Sequence, residues 1–212
     1  MRRLPVYLVL DTSGSMSGEP IEAVKTGMQT LVSELKQDPF ALETACLSVI
    51  TFDSDAKQVS PLTPIGTFVL PSILAMGSTE LGRALSLTAK CIATDVIKTT
   101  ESAKGDWKPL VFLMTDGHPS SDWAAGLADF KAAKTGIVVA CAAGQQADEK
   151  ILKQITENVV RLDVADGATI KAFFKWVSSS ISTGSQKIEH GASEMGNIAD
   201  LPPPPKEVQL VV

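Results

Sequence analysis

The chain of 212 residues is 44% hydrophobic and carries 19 Lys and Arg against 24 Asp and Glu, a formal net charge of −5. This length and composition suffice to bury the core of one domain. The acidic balance argues against nucleic acid as a partner, because nucleic-acid-binding proteins usually present a clustered basic face. No run approaches the ~20 apolar residues of a membrane span, and no long apolar stretch follows Arg2 and Arg3 to form a signal peptide. We therefore expect a cytoplasmic protein with no membrane span.

The predicted strands alternate with stretches of helical period. Apolar runs predict strands over 5–10, 45–52, 109–115, 136–143 and 159–163. Several of these runs are continuously apolar, which is typical of parallel strands covered on both faces. Between them, apolar residues recur every three or four positions in stripes that begin at Ile21, Leu81, Trp123 and Ile170.

A hairpin is predicted at one edge of the sheet. Residues 56–59 follow a polar turn at 53–55 and are predicted to form the second, antiparallel strand of the hairpin. Together with the alternation of strands and helices, this predicts an α/β fold, a doubly wound, mostly parallel six-stranded sheet with one antiparallel edge strand. The arrangement is Rossmann-like.

The three cysteines, Cys46, Cys91 and Cys141, lie within apolar segments. Their number is odd and none forms a CxxC pair. Buried, reduced thiols are therefore favoured over a disulfide or a zinc site.

The character of the chain changes after Ile181. We predict a folded domain over 1–183 and a flexible, Pro-containing tail over 184–212, without packing of its own. The four prolines at 202–205 form a stiff segment that cannot join a helix or the interior of a sheet. The last six residues are strand-competent, so they are either a peptide for strand addition or an end without function.

Oxygen-bearing side chains follow the first strand at a regular spacing. Asp11, Ser13 and Ser15 place a carboxylate and two hydroxyls at positions i, i+2 and i+4 of a Gly- and Ser-rich turn. Thr79 offers a further hydroxyl in a second Gly/Ser turn, and Asp116 ends the strand predicted at 109–115. Ligands of open α/β sheets sit beyond the carboxyl ends of the strands, and hard divalent cations take oxygen ligands. These five residues are therefore predicted to bind Mg²⁺, with Mn²⁺ or Ca²⁺ as alternatives.

Simpler roles remain open for each part of this pattern. Ser15 or Ser17 is suited to cap the helix beginning near Glu19, and Ser78 to cap the next helix. Asp116 and Gly117 also describe an ordinary turn. His118 is expected to be an exposed rim residue, since His is not a preferred ligand of Mg²⁺, and Trp123 is expected to pack through its helix stripe.

In their order along the chain, the three segments that carry Asp11 to Ser15, Thr79 and Asp116 resemble the metal-ion-dependent adhesion site (MIDAS) of von Willebrand factor A (VWA) domains. The resemblance spans residues 4–182. It implies that Ser13, Ser15 and Thr79 coordinate the metal directly. It also implies that the two aspartates act largely through water, and that a protein partner supplies an Asp or Glu as the final ligand.

Within that superfamily, residues 4–16 and 115–119, with Asp122 and Trp123, look like the bacterial tellurium-resistance group of the TerY type. That likeness implies a scaffold in tellurite or stress resistance that acts beside a kinase and a PP2C-type phosphatase.

The predicted function is a non-enzymatic, metal-dependent protein-binding module. The alternative is a Mg²⁺-dependent phosphohydrolase, but haloacid-dehalogenase enzymes carry a second aspartate where this chain has Ser13. Two-metal hydrolysis also requires more carboxylates than the two present here, and neither GxxxxGK[ST] nor GxGxxG occurs. An extracellular adhesion domain is disfavoured by the absent signal and the unpaired cysteines.

Overall fold

Seven strands form a single mixed sheet in the computed structural model, which describes residues 2–191 and 193–211. The strands are β1 (Leu4–Asp11), β2 (Ala45–Phe52), β3 (Ala56–Pro64), β4 (Leu110–Thr115), β5 (Val138–Ala143), β6 (Val159–Leu162) and β7 (Gln209–Leu210). Their order is β3-β2-β1-β4-β5-β6-β7, with β3 and β7 antiparallel to their neighbours and the other strands parallel. The predicted fold class is confirmed, but the sheet has seven strands rather than six because the tail supplies β7.

Helices cover both faces of this sheet. They are α1 (Glu19–Gln37), α2 (Pro39–Thr44), α3 (Leu81–Asp95), α4 (Ala124–Ala132), α5 (Glu149–Ile155) and α6 (Gly167–Glu189). Side chains alternate along β1, so that Leu8 packs with α1 and α6 in one core cluster while Val9 packs with α3, α4 and α5 in the other. The helical stripes predicted from the sequence are buried in these two layers.

The topology reverses at β1. This strand lies between β2 and β4. The strands β2 and β3 are therefore added on one side of β1, and the later strands on the other side. The switch point of an open α/β sheet forms a crevice at the carboxyl ends of the strands. Asp11 is the last residue of β1 and Asp116 follows β4 directly, so the fold brings the two predicted metal ligands to this crevice.

The tail packs against the domain. α6 continues to Glu189, across the boundary predicted at residue 183, and the indole Nε1 of Trp176 donates a hydrogen bond to the carbonyl oxygen of Pro202 at 2.8 Å. Leu201 and Val208, on either side of the proline run, are buried. The structure thus differs from the tail without packing of its own that we expected, because apolar side chains on both sides of the proline run are buried in the core cluster of α1 and α6. The division into a domain over 1–183 and a flexible tail over 184–212 stays a prediction.

Two further sequence expectations concern the cysteines and membrane spans. The three cysteines are buried free thiols, and burial raises the pKa of Cys91 to about 11. Among the described residues, no helix is long and apolar enough to cross a membrane.

Candidate metal centre

Asp11 is held rigidly at the end of β1. Its side chain is only 1% exposed. The Ser13 backbone N–H donates to Oδ1 at 2.8 Å, and the Thr115 hydroxyl donates to Oδ2 at 2.5 Å. The carboxylate is therefore fixed by its own turn and by the neighbouring strand. Thr115 thus supports a candidate ligand and was missed by the sequence analysis, although its place directly before Asp116 at a strand end is the signal that could have found it.

A chain of oxygens connects the first turn to Asp116. The hydroxyls of Ser13 and Ser15 are hydrogen-bonded at 3.0 Å, and Ser15 Oγ donates to Asp116 Oδ1 at 2.8 Å. Ser13 is buried whereas Ser15 is exposed. The row of oxygens thus begins in the protein interior, passes through an exposed hydroxyl and ends at the half-buried Asp116.

Thr79 reaches the same place on a separate loop. That loop is attached to the β1 turn, because Gly14 N donates to the carbonyl oxygen of Gly77 at 3.0 Å. A Cβ built on Gly117 would lie 3.7 Å from Thr79 Oγ1, which places this hydroxyl beside the Asp116 turn. Thr79 and Ser120 fix each other through two hydrogen bonds. The Thr79 backbone N–H donates to Ser120 Oγ at 2.8 Å, and the Ser120 backbone N–H donates to the Thr79 carbonyl oxygen at 2.9 Å.

Gly77 is required by the shape of this loop. Its φ of +72° lies in the left-handed region, and an added Cβ would come within 2.3 Å of Ser54 Oγ. A side chain at this position would therefore displace the segment that carries Thr79.

The hydroxyls of Ser15, Ser17 and Ser78 do not form the helix caps that the sequence analysis considered. α1 has Gly18 as its N-cap and α3 has Glu80, and neither receives a side-chain capping bond. Ser78 instead bonds Ser54 Oγ, at 3.3 Å. His118 is exposed, with Nδ1 3.4 Å from Asp148 Oδ2, and Trp123 is half-buried against the apolar cluster of α3 and α4.

The electrostatics of the site favour a cation. Burial raises the pKa of the Asp11 carboxyl, and the nearby Asp116 charge raises it further, while hydrogen bonds from Ser13 and Thr115 oppose the shift. Burial likewise raises the pKa of Asp116. Within residues 2–191 and 193–211, neither carboxylate forms an ion pair with Lys, Arg or His. Negative charge is therefore partly buried here without a countercharge from the protein.

The spacing of the oxygens suits a hard divalent ion. Oxygen ligands of Mg²⁺ lie about 2.0–2.1 Å from the ion, so adjacent corners of its octahedron are about 2.9 Å apart. The observed oxygen separations of 3.0 Å and 2.8 Å are hydrogen-bond lengths that are also compatible with this spacing. No group of three or more His, Cys, Asp or Glu that could hold a metal occurs in the described part of the chain. The candidate donor set of hydroxyl and carboxylate oxygens is of the kind that hard divalent cations take.

Replacing Thr115 by Val should weaken metal binding while the fold is retained. The two side chains have similar shapes, but Val cannot donate to Asp11 Oδ2. Loss of such an orienting partner typically costs roughly 10–100-fold in metal affinity, and we expect this loss in a Mg²⁺ titration by calorimetry. Thr88→Val is the matched control, because Thr88 is equally buried but bonds only the Ala84 carbonyl within α3. Unchanged affinity in Thr115→Val would contradict the orienting role.

The fold and the site define an α/β domain with an oxygen-lined crevice at its switch point. Residues 6–176 match the family model of the von Willebrand factor type A domain, and the chain belongs to this family. VWA domains generally serve as interaction modules.

Individual relatives share parts of the chain. The uncharacterized protein sll0103 of Synechocystis sp. is 37% identical over 126 residues, which are 55% of this chain and 26% of that protein. The chain thus spans about a quarter of the length of this curated relative.

Solved structures share the fold at low identity. A von Willebrand factor type A protein from Catenulispora acidiphila superimposes with a TM-score of 0.59 at 19% identity, over 86% of this chain and 43% of that one. Proximal thread matrix protein 1 from the mussel byssus, with a zinc-occupied MIDAS motif, gives a TM-score of 0.59 at 19% identity, over 84% of this chain and 48% of that one.

Proposed function

We propose that this chain is a metal-dependent protein-binding module whose cation is completed by an acidic side chain of a partner. The ligands are Asp11, Ser13, Ser15, Thr79 and Asp116, and the preferred ion is Mg²⁺, with Mn²⁺ or Ca²⁺ as alternatives. The single observation that carries the proposal is the row of oxygens that links buried Asp11 to Asp116, for which the described part of the chain supplies no basic counterion. The zinc-occupied MIDAS motif of the mussel protein supports a divalent ion in this family.

The surroundings of the site favour a protein as the ligand. Ser15, which lies between Ser13 and Asp116 in the oxygen row, is exposed, so a coordination position faces the surface. The loop that leads to Thr79 exposes Leu74 and Met76, which are 65% and 57% accessible. Exposed large apolar side chains beside a polar site are typical of surfaces that bind other proteins. A partner's Asp or Glu would neutralise the ion, and its apolar neighbours would cover this loop.

The geometry disfavours the phosphohydrolase alternative. A nucleophilic aspartate must reach phosphorus, but Asp11 is 1% exposed and both its oxygens accept hydrogen bonds from Ser13 and Thr115. The position of an acid/base partner two residues later is occupied by Ser13, which cannot act as a carboxylic acid. We therefore propose that the chain is not an enzyme.

The narrower assignment rests on the sequence resemblance of residues 4–16 and 115–119, with Asp122 and Trp123, to the TerY group. From it we propose a cytoplasmic scaffold in tellurite or stress resistance, with a protein kinase and a PP2C-type phosphatase as the first partners to test.

Capture of such a partner should require both metal and Thr79. We expect the immobilised chain to retain the purified kinase or phosphatase in Mg²⁺ and to release it in EDTA. Thr79→Ala should weaken capture by roughly tenfold or more, because it removes one metal ligand, whereas Ser78→Ala on the same loop should not. The chain alone should leave p-nitrophenyl phosphate intact. Capture that persists undiminished in EDTA would refute the mechanism.

A further inference from the structure

A second groove lies at the end of the sheet opposite the candidate metal centre. It has a volume of about 570 Å³ and lies between the C-terminal ends of α3 and α4 and the segment that enters β4. Its lining includes Ile92 and Trp107, which are buried, and Ile97, which is 58% exposed. The volume falls within the range of about 300–1,000 Å³ in which proteins bind compact ligands. We call this feature the basal groove.

Lysines surround the apolar lining of the basal groove. Lys98, Lys108 and Lys134 contribute to its wall and are exposed. Among the residues that the structure describes, none of the three forms an ion pair. In a chain with a net charge of −5, this is a local concentration of uncompensated positive charge.

The acidic residues of the groove do not neutralise these lysines, because both have arginine partners. Asp106 binds Arg3 through two hydrogen bonds of 2.9 Å and 2.6 Å. Glu194 binds Arg2 at 2.6 Å. Each acid–arginine pair is neutral, so the charge that remains at the groove is that of the lysines.

Helix dipoles do not account for the lysines either. The C-terminal end of a helix favours a nearby cation, but each of the two helix ends here has another one. Arg3 donates to the carbonyl oxygen of Asp95, the last residue of α3, at 2.9 Å. α4 carries Lys131 in its own last turn. The three groove lysines are therefore available for a ligand.

We propose that the basal groove is a second protein-docking site, which binds a partner segment with an apolar side chain flanked by Asp or Glu. The apolar side chain would cover Ile97 and fill the groove, and the flanking acids would pair with the lysines. Charge complementarity of this kind sets specificity and increases the rate of association.

The position of the basal groove would allow two partners to bind at once. The six residues of β4 separate it from the candidate metal centre, a distance of ~20 Å at 3.3 Å per residue. One ligand at each end of the sheet would make the chain a bridge between two proteins. Docking at the basal groove does not depend on metal, so it stands or fails separately from the function proposed above.

Peptide selection on the full chain tests this inference. A random dodecapeptide phage library is panned on the immobilised protein in EDTA, which keeps divalent metal out of the candidate metal centre. We expect the selected peptides to combine Leu, Ile or Phe with adjacent Asp or Glu. The affinity of the best synthetic peptide should fall by about tenfold or more in Lys98→Glu/Lys108→Glu/Lys134→Glu, because attraction becomes repulsion. The matched control, Lys153→Glu/Lys171→Glu/Lys175→Glu, has the same net charge and should change affinity by less than about twofold.

Several outcomes would overturn the inference. One is a selection without acidic–apolar peptides, and another is an equal loss of affinity in the control variant. Binding of the apolar anion anilinonaphthalene sulfonate at the groove without any selected peptide would indicate a small-molecule site instead. A dimer in sedimentation velocity that dissociates in the groove variant would identify a second copy of the chain as the occupant.

Discussion

Replacing Asp11 and Asp116 together by Asn should abolish the stabilisation by Mg²⁺ and should not destabilise the metal-free protein. A ligand that binds only the folded state adds roughly 2.7 kcal/mol at a hundredfold excess over Kd, which for a chain of this length raises the melting temperature by about 5–10 °C. Asn keeps an oxygen that can accept the hydrogen bond from Ser13 N, but it has no charge with which to hold the ion. The shift on adding Mg²⁺ should therefore disappear.

The metal-free protein provides the second half of this prediction. Burial raises the pKa of both carboxyls, so each is more costly to ionise in the folded state than in the unfolded state. Their contribution to stability is present at low pH and is lost as the pH rises through the raised pKa values. At pH 7 in EDTA, the double Asn variant should accordingly melt at or above the temperature of the parent protein.

The control for this experiment is Asp53→Asn/Asp55→Asn, which removes the same charge from the β2–β3 turn. Thermal scans of the three proteins in Mg²⁺ and in EDTA provide the comparison. The control should keep the full Mg²⁺ shift. A shift of equal size in the Asp11 and Asp116 variant would place the bound ion elsewhere on the chain.

The central part of the fold could be predicted because its signals are local. Long apolar runs such as β1 and β4 can be buried on both faces only within a parallel sheet, and the polar residues that end them mark the carboxyl edge. Asp11 and Asp116 could therefore be assigned to one crevice before their neighbourhood was known.

The tail and the short helices could not be predicted in the same way. β7 is a strand of two residues that forms only by pairing with β6, about fifty positions away, and no local periodicity indicates such a contact. α2 and α5 are too short for a recognisable stripe, and each depends on an aspartate cap, Asp38 or Asp148. The proline run correctly indicated a stiff segment, but stiffness does not say whether a segment packs.

The supporting residues of the site were also missed, for a related reason. Thr115 and Ser120 act through hydrogen bonds across 104 and 41 positions of the sequence. A hydroxyl that orients another residue has no spacing rule of its own, whereas the ligands of the first turn follow one another at alternate positions. The sequence thus offers a pattern for the candidate ligands but none for the residues that hold them.

Deleting residues 201–212 should lower the melting temperature substantially. Leu201 and Val208 are 6% and 2% exposed, and burial of two such side chains contributes roughly 3–6 kcal/mol. Part of this gain is offset by the chain entropy lost when the segment becomes ordered. We expect a net loss of about 2–4 kcal/mol, and hence a melting temperature lower by roughly 5–15 °C.

Two features make this test specific to packing. The deletion removes the carbonyl group that accepts the hydrogen bond from the Trp176 indole, and it exposes that side chain, which is now 3% accessible. Tryptophan emission should therefore shift to longer wavelength. Lys206→Ser/Glu207→Ser is the matched control, because it changes the same segment at positions that are not buried. A deletion variant with unchanged melting temperature and emission would mean that the tail contributes no stability to the domain. It would also restore the interpretation of the tail as an independent peptide.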